Sequence, residues 1–364
     1  MNYPVRPSYT AGEIDRAGNA ARSFKPGTED YKEAIGVING WRAAHAYPMH
    51  TFYVTLRRRA LLISRKSLVA RRLKRLVTIL DKIGGRQESM RLSRMQDIGG
   101  VRAILPKVKH VYVLRDKYAN DTRFPHVLKR SHDYILSPKP SGYRGVHLVY
   151  SFNNAQGRSP VARDYDGLLV EVQIRTQLQH EWATAVEIVG TMLGDELKSS
   201  IGDANWLEFF QCMSSVIATL EDSPVLAAHR EWTTAQLFNY TAELAQKIEM
   251  INTIAGWVTG LKSINERGGG GYYHILLLDI QNKKVRMLRY LESELEEATQ
   301  KLAEFEQAAA VNGDPEPVLV AVGDITKLRK AYPNYFLDMK DFLQLTSYVI
   351  ETANGTGYNS NNEQ

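Results

Sequence analysis

The sequence predicts an α+β fold: a mixed, largely antiparallel sheet with flanking helices, followed by a small α/β domain. Three observations predict it. In the middle of the chain, strand-like runs (97–105, DIGGVRAIL; 143–152, YRGVHLVYSF; 167–174, GLLVEVQI) alternate with helical stretches at 109–119 and 177–192. A run of four glycines, 268–271, then marks a boundary of permissive backbone. Beyond it the order changes to strands 272–280 and 283–288, a hairpin turning at Gln281-Asn282, before helix returns.

Residues 1 to about 50 read as a loosely patterned helical cap on the rest of the domain. Leu73, Leu76, Val77, Leu80 and Ile83 recur at helical spacing and stop at Gly84-Gly85. That spacing predicts an amphipathic helix bearing Arg72, Lys74, Arg75 and Lys82. A long helical region is expected over 205–265. After the hairpin, Leu291, Leu295, Ala298, Leu302, Phe305 and Ala309 form a narrow apolar seam. A short strand over 317–322 and two helical pieces within 325–350, broken at Pro333, complete the pattern. The expected domains are 1–267 and 268–351, with a polar tail, 352–364, too poor in apolar residues to order itself.

Composition narrows the function. The chain has 364 residues, 44% hydrophobic and 24% charged, which is the balance of an ordinary globular protein with room for a core. Its one cysteine, Cys212, excludes a disulfide framework and a cysteine-based zinc site. No apolar run reaches bilayer length and the N-terminus has no apolar signal core, so a cytoplasmic protein without a membrane partner is expected. Net charge is +6 and the pI about 9.1. No Asp or Glu occurs from Ala34 to Leu80, and Arg57 to Arg75 holds nine basic residues. Such a block reads as a solvated face or as a phosphate-binding surface.

The phosphate reading gains from an acidic pair downstream. Asp97 opens one expected strand and Glu171 sits within another. Mg2+ takes oxygen ligands, commonly one or two carboxylates plus substrate phosphates, and phosphoryl-type transfer asks a protein mainly to position groups and neutralise charge. Gly99-Gly100 permits close backbone approach beside Asp97, with Arg102 following. Tyr143, at a turn-to-strand junction in SGYRG, reads either as a base-stacking ring or as a half-buried strand tyrosine. His147, on the same strand face by alternation, reads as a phosphate contact or a packed structural histidine.

Three segments, RMQDIGGVRAI, DYI-x-x-PK-x-SGYRG-x-H and EVQIRT-x-x-QHEWA, occur in one order. Over about 57–193 the chain resembles the RelA/SpoT-type nucleotide pyrophosphokinases, the synthetases of (p)ppGpp alarmones and their small relatives. The resemblance implies that Asp97 holds Mg2+ and that Glu171 completes the metal site and helps activate the attacking hydroxyl. It implies that Gln173 and Arg175 support the acceptor, that Tyr143, with Arg144 and His147, binds it, and that Arg72, Lys74, Arg75, Lys82 and Arg102 cradle ATP. The acceptor hydroxyl would attack the β-phosphorus of ATP, with AMP leaving. His132-Asp133 is a lone HD pair, so no hydrolase domain is expected.

Residues 268–364 resemble the pseudo-zinc-finger antitoxin domain of CapRel-type fused toxin–antitoxin proteins, through Tyr332-Pro333-Asn334-Tyr335 and DMKDFL. That resemblance implies an autoinhibited toxin for anti-phage defence. It would pyrophosphorylate the 3′ CCA end of tRNA, with Tyr332 and Tyr335 blocking the ATP site until a phage protein binds. The alternatives are a small alarmone synthetase acting on GDP, GTP or an adenosine analogue, and a non-catalytic RNA-binding module. Asp97 and Glu171 together argue against the last.

Overall fold

The computed structural model describes residues 8–24, 27–74, 76–86, 90–121, 124–154, 160–193, 197, 202–251, 273–279, 284–294, 297–298, 301–302, 304–305, 308, 318–321 and 339–355. They fall into two compact units, Met1–Asp133 with Gly145–Gln177, and Tyr134–Arg144 with Leu178–Gln364.

In the first unit, helices α1 (Ala11–Ser23), α2 (Glu29–Ala44) and α3 (Ala46–Ile63) lead into β1 (Leu68–Leu73) and the short α4 (Leu76–Asp81). Then come β2 (Gly99–Leu105), α5 (Val108–Ala119), β3 (Val127–Asp133), β4 (Val146–Ser151) and β5 (Leu169–Thr176). The strands form one sheet in the order β1-β2-β5-β4-β3. The β2–β5 pair is parallel and the other three pairs are antiparallel, the mixed and largely antiparallel sheet expected.

Alternation along the strands divides the sheet into unlike faces. Val101, Ala103, Leu105, Val146, Leu148, Tyr150, Val170, Val172 and Ile174 share one face and are all buried. This face belongs to the core that also holds Met49, Phe52 and Leu56 of α3 and Val111, Leu114 and Tyr118 of α5. Gly99 is what lets α3 approach, since a Cβ there would meet the His45 Cβ at 3.3 Å. The other face carries Arg72, Gly100, Arg102, His147, Glu171 and Gln173. One side of the sheet is thereby committed to packing, and the other to polar chemistry.

The second unit is centred on α6 (Gln177–Leu193), α7 (Ala204–Leu220), α8 (Thr234–Lys247) and α9 (Lys340–Ala353). Trp182, Phe209, Phe210, Met213, Phe238, Phe342 and Val349 share one buried core. A three-stranded antiparallel sheet, β6 (Tyr273–Asp279), β7 (Lys284–Tyr290) and β8 (Val318–Ala321), has β6 in the middle. The hairpin expected over 272–288 is β6–β7, in the register Tyr273↔Tyr290. Among the described residues no helix is long and apolar enough to cross a membrane.

Several expectations need correction. The basic block is not one helix. α3 ends at Ile63, Arg72 lies on β1, and Lys74 lies in the link to α4. Pairing of β1 with β2 overrides the helical spacing of the leucines, and only 76–86 is helical, its end as a π-turn. β3 is an additional strand, exposed along most of its length, so it lacks the apolar signature of a buried one. The helix expected over 205–265 breaks after Leu220, where Asp222 has φ 50° and Pro224 comes two residues later. Tyr143 precedes β4 and lies in a loop, because Gly142 and Gly145 have φ of 95° and 143°. The seam over 291–309 is described only in part, with a 3₁₀ turn at Glu292–Glu294. Arg75, Tyr332 and Tyr335 lie outside the described residues.

The aromatic core makes a pH prediction. His126 stacks on Phe52 and Phe152 (centroids 4.6 and 4.7 Å), and the Asn153 amide donates to its Nδ1 at 3.1 Å. Burial pushes this imidazole down to about 4, so it folds neutral. The unfolded chain binds the proton below about pH 6.5, and stability present above that pH declines as pH falls toward 4. Denaturant titrations at pH 7 and pH 5 should show His126 contributing about 1–2 kcal/mol of that loss. His126→Gln should flatten the difference; an equally steep loss in the variant contradicts the assignment.

Candidate active site

The polar sheet face carries Glu171, and the link into β2 carries Asp97. Glu171 and Gly100 are register partners on β5 and β2, and Asp97 lies in the link two residues before β2 begins. Asp97 has its own supports. The Asp15 carboxylate of α1 accepts from the Ser93 amide (2.8 Å) and hydroxyl (3.0 Å), fixing the segment that leads to it. The Lys74 amide donates to the Ile98 carbonyl at 2.8 Å, and Arg42 of α2 donates to the Lys74 carbonyl at 2.7 Å. Nothing in local sequence pattern signals Asp15 or Arg42. Their partners are distant in the chain and lie on no motif.

Two lysines meet Asp97. Lys74 Nζ lies 2.7 Å from Oδ2, and Lys82 Nζ lies 3.1 Å from Oδ1. Burial on its own raises the Asp97 carboxyl, but the two ammonium charges and their hydrogen bonds outweigh it and hold the group below its usual range. Glu171 is treated differently. Burial pushes it up, while His147 and then Gln173 more than offset this, so it too stays ionised. His147 Nδ1 is 2.7 Å from Oε1; an ionised carboxylate only accepts, so the proton sits on Nδ1. Gln173 Nε2 donates to Oε2 at 2.7 Å, and Arg102 Nε donates to the Gln173 carbonyl at 3.2 Å, which fixes which end of the amide faces Glu171. The charge of Asp97 raises Glu171, so the two carboxylates lie within electrostatic reach of each other.

Among the described residues no group of three or more His, Cys, Asp or Glu forms a metal cage. Two hard oxygen donors, completed by water and phosphate oxygens, suit Mg2+, which seldom takes an all-protein shell. The residues present fit that ion.

The other expected site residues divide. Arg72 is exposed on β1, in register with Gly100 and on the face of Glu171. Arg175 shares that face by alternation but is 3% exposed, next to Ile104 in register. Of the two readings of His147, a phosphate contact or a packed histidine, the structure shows it engaging Glu171. Tyr143 and Arg144 belong to the second unit. There the turn 139–143 closes through Lys139 N–H to the Tyr143 carbonyl (3.2 Å) and Gly142 N–H to the Lys139 carbonyl (2.8 Å). Lys139 Nζ stands over the rings of Tyr134 (4.6 Å) and Tyr143 (5.3 Å). Tyr134 and Lys139 lie in the same DYI-x-x-PK-x-SGYRG-x-H stretch as Tyr143. Arg144 was expected on the acceptor and is instead 2% exposed, donating to Ser214 Oγ (2.9 Å) and the Ile135 carbonyl (3.3 Å). Burial lowers its guanidinium to about 10. It fastens the loop to α7.

Residues 71–188 match the family described as "Region found in RelA / SpoT proteins". GTP pyrophosphokinase YjbM of Bacillus subtilis (strain 168) is 36% identical over 121 residues, 32% of this chain and 52% of that protein. GTP pyrophosphokinase YwaC of the same organism is 31% identical over 125 residues, 31% of this chain and 55% of that protein. The GTP pyrophosphokinase of Haemophilus influenzae is 32% identical over 95 residues, 26% of this chain and 11% of that protein. The chain thus spans about half or less of each relative's length. The crystal structure of small alarmone synthetase 1 from Bacillus subtilis bound to pppGpp superposes with TM-score 0.41 at 24% identity, over 49% of this chain and 90% of that one. The matched stretch contains Asp97, Glu171, Gln173 and His147, and ends inside α6.

The loop gives a stability prediction. A Cβ at Gly142 (φ 95°) would sit 2.9 Å from Trp182 Cζ2 and 3.0 Å from Ser214 Cβ, whereas one at Gly167 (φ 85°) meets nothing within 4 Å. Gly142→Ala should therefore cost about 2–4 kcal/mol, and Gly167→Ala about 1–2 kcal/mol from backbone strain alone. Chemical unfolding of both variants checks the ranking, and equal losses contradict it.

Proposed function

We propose that this chain is an ATP-dependent pyrophosphotransferase acting on a ribose hydroxyl, with a guanosine nucleotide, GDP or GTP, as acceptor. The observation that carries the reading is Glu171 on a polar sheet face with Arg72 and Arg102, and Asp97 in the link into that sheet, held by Lys74 and Lys82. The relatives named GTP pyrophosphokinase support the guanosine acceptor.

In this reading Asp97 and Glu171 hold Mg2+, whose chemistry when bound is to neutralise charge on the phosphates. Arg72, Lys74, Arg75, Lys82 and Arg102 bind the triphosphate, arginine by paired hydrogen bonds and lysine as a point charge. Glu171, oriented by His147 and Gln173, takes the proton of the acceptor hydroxyl. That oxygen bonds to the β-phosphorus as the bond from this phosphorus to the oxygen bridging to AMP breaks, and AMP leaves. Tyr143 stacks on the acceptor base, and Arg175 supports the acceptor from β5.

A second reading, a tRNA 3′ end as acceptor, is favoured by the acid-free block, in which Arg57, Arg58, Arg65 and Lys66 are exposed. Under it the chain is a cytoplasmic toxin. Residues 268–351 act as a regulatory domain, Tyr332 and Tyr335 occupy the adenine pocket, and a phage protein releases them. Release needs only a shift of a few kcal/mol between two states.

With ATP labelled in its γ-phosphate, label should appear on GDP or GTP, and Asp97→Asn should reduce it to background. Label on bulk tRNA alone replaces the first reading with the second, and no label on any acceptor contradicts both. For the regulatory domain, chains lacking 268–364 or carrying Tyr332→Ala should arrest growth where the full chain is tolerated. Equal tolerance at equal expression removes the autoinhibitory role.

A further inference from the structure

Both oxygens of Asp97 already face ammonium groups. Lys74 Nζ is 2.7 Å from Oδ2, and Lys82 Nζ straddles the carboxylate at 3.1 Å from Oδ1 and 3.2 Å from Oδ2. One negative and two positive groups leave this cluster with a net charge of −1 + 2 = +1. A dication bonds a carboxylate oxygen at about 2.1 Å, well inside ammonium distance. Two ammonium groups and a dication on the same two oxygens would repel strongly. One of the three has to leave.

The surroundings say which. Lys74 is held through its backbone by Ile98 and Arg42, and its side chain is 13% exposed. Lys82 makes the longer, shared contact, is 33% exposed, and opens the π-helical turn Lys82–Arg86. It is the looser partner.

We propose that Lys82 is a displaceable counter-ion. It neutralises Asp97 in the metal-free protein, leaves that carboxylate when the dication binds, and carries its ammonium to the phosphates of the nucleotide. This rests on the reading of Asp97 as a metal ligand. The exchange couples the two ligands. Metal alone meets an Asp97 carboxylate already neutralised by two ammonium groups and binds weakly, whereas the triphosphate brings the negative charge that Lys82 needs to let go. Lys82 thereby acts as a positioning residue for both the metal and the nucleotide.

Mn2+ titrated into the full chain without nucleotide, with free Mn2+ read by EPR, tests the exchange without turnover. Wild type should bind weakly. Lys82→Met should bind Mn2+ at least about tenfold more tightly, the effect of removing one like charge at contact range. Lys82→Arg, which keeps the charge, should remain weak, and adding Asp97→Asn to Lys82→Met should abolish the gain. A residue that merely packs would move Met and Arg variants together. Lys82→Gln gives the same readout if the Met variant melts at a lower temperature than wild type. No gain in Mn2+ affinity on removing the charge overturns the proposal, whatever the transfer assay shows. Failure of that assay alone strikes the functional reading and leaves the exchange standing.

Discussion

Two carboxylates held ionised within electrostatic reach of each other are unfavourable unless each has its own compensation, and this molecule compensates them by different means. Asp97 is neutralised by the ammonium groups of Lys74 and Lys82. Glu171 is held by hydrogen-bond donors, His147 on one oxygen and Gln173 on the other. The parallel β2–β5 pairing sets the arrangement, because it puts Glu171 level with Gly100 just past Asp97. A slip of one residue in that register would turn Glu171 into the apolar face. Burial of Val101, Val170, Val172 and Ile174 on the opposite face is therefore what keeps the carboxylate pointing outward.

Residues far along the first unit serve that geometry from a distance. The N-terminal helices, which read as a cap, reach the segments flanking Asp97 directly: Asp15 ties down Ser93, and Arg42 ties down Lys74. In the second unit Gly142, Arg144 and Ser214 hold the turn that carries Lys139 and Tyr143, with Ser214 Oγ donating to the Gly142 carbonyl at 2.6 Å. The turn's shape is dictated by the glycine's positive φ and by the indole of Trp182 beside it.

Legibility in the sequence tracks physical reach. β2, β5, α5 and α6 were readable because apolar periodicity records burial, and their ends lie within a few residues of expectation. Asp97 and Glu171 are legible only in combination, as two carboxylates on adjacent strand segments with a glycine pair and many arginines nearby. Helical spacing of Leu73, Leu76 and Leu80 places Arg72 and Lys74 on a helix, and only the antiparallel pairing with β2 makes 68–73 a strand. Arg144 shows the opposite failure. Its place in the SGYRG motif suggests a ligand contact, yet the buried Ser214 hydroxyl, 70 positions away, claims its guanidinium. Asp15 and Arg42 work through long-range pairs that no local pattern encodes.

The most direct test of the central claim is to locate the metal. Crystals grown with Mn2+ and a non-hydrolysable ATP analogue should show one anomalous peak bonded to Asp97 at about 2.1 Å and facing Glu171 on the same side of the sheet. A peak away from both carboxylates, or none while the nucleotide is bound, would contradict the claim that this face is built around one divalent cation.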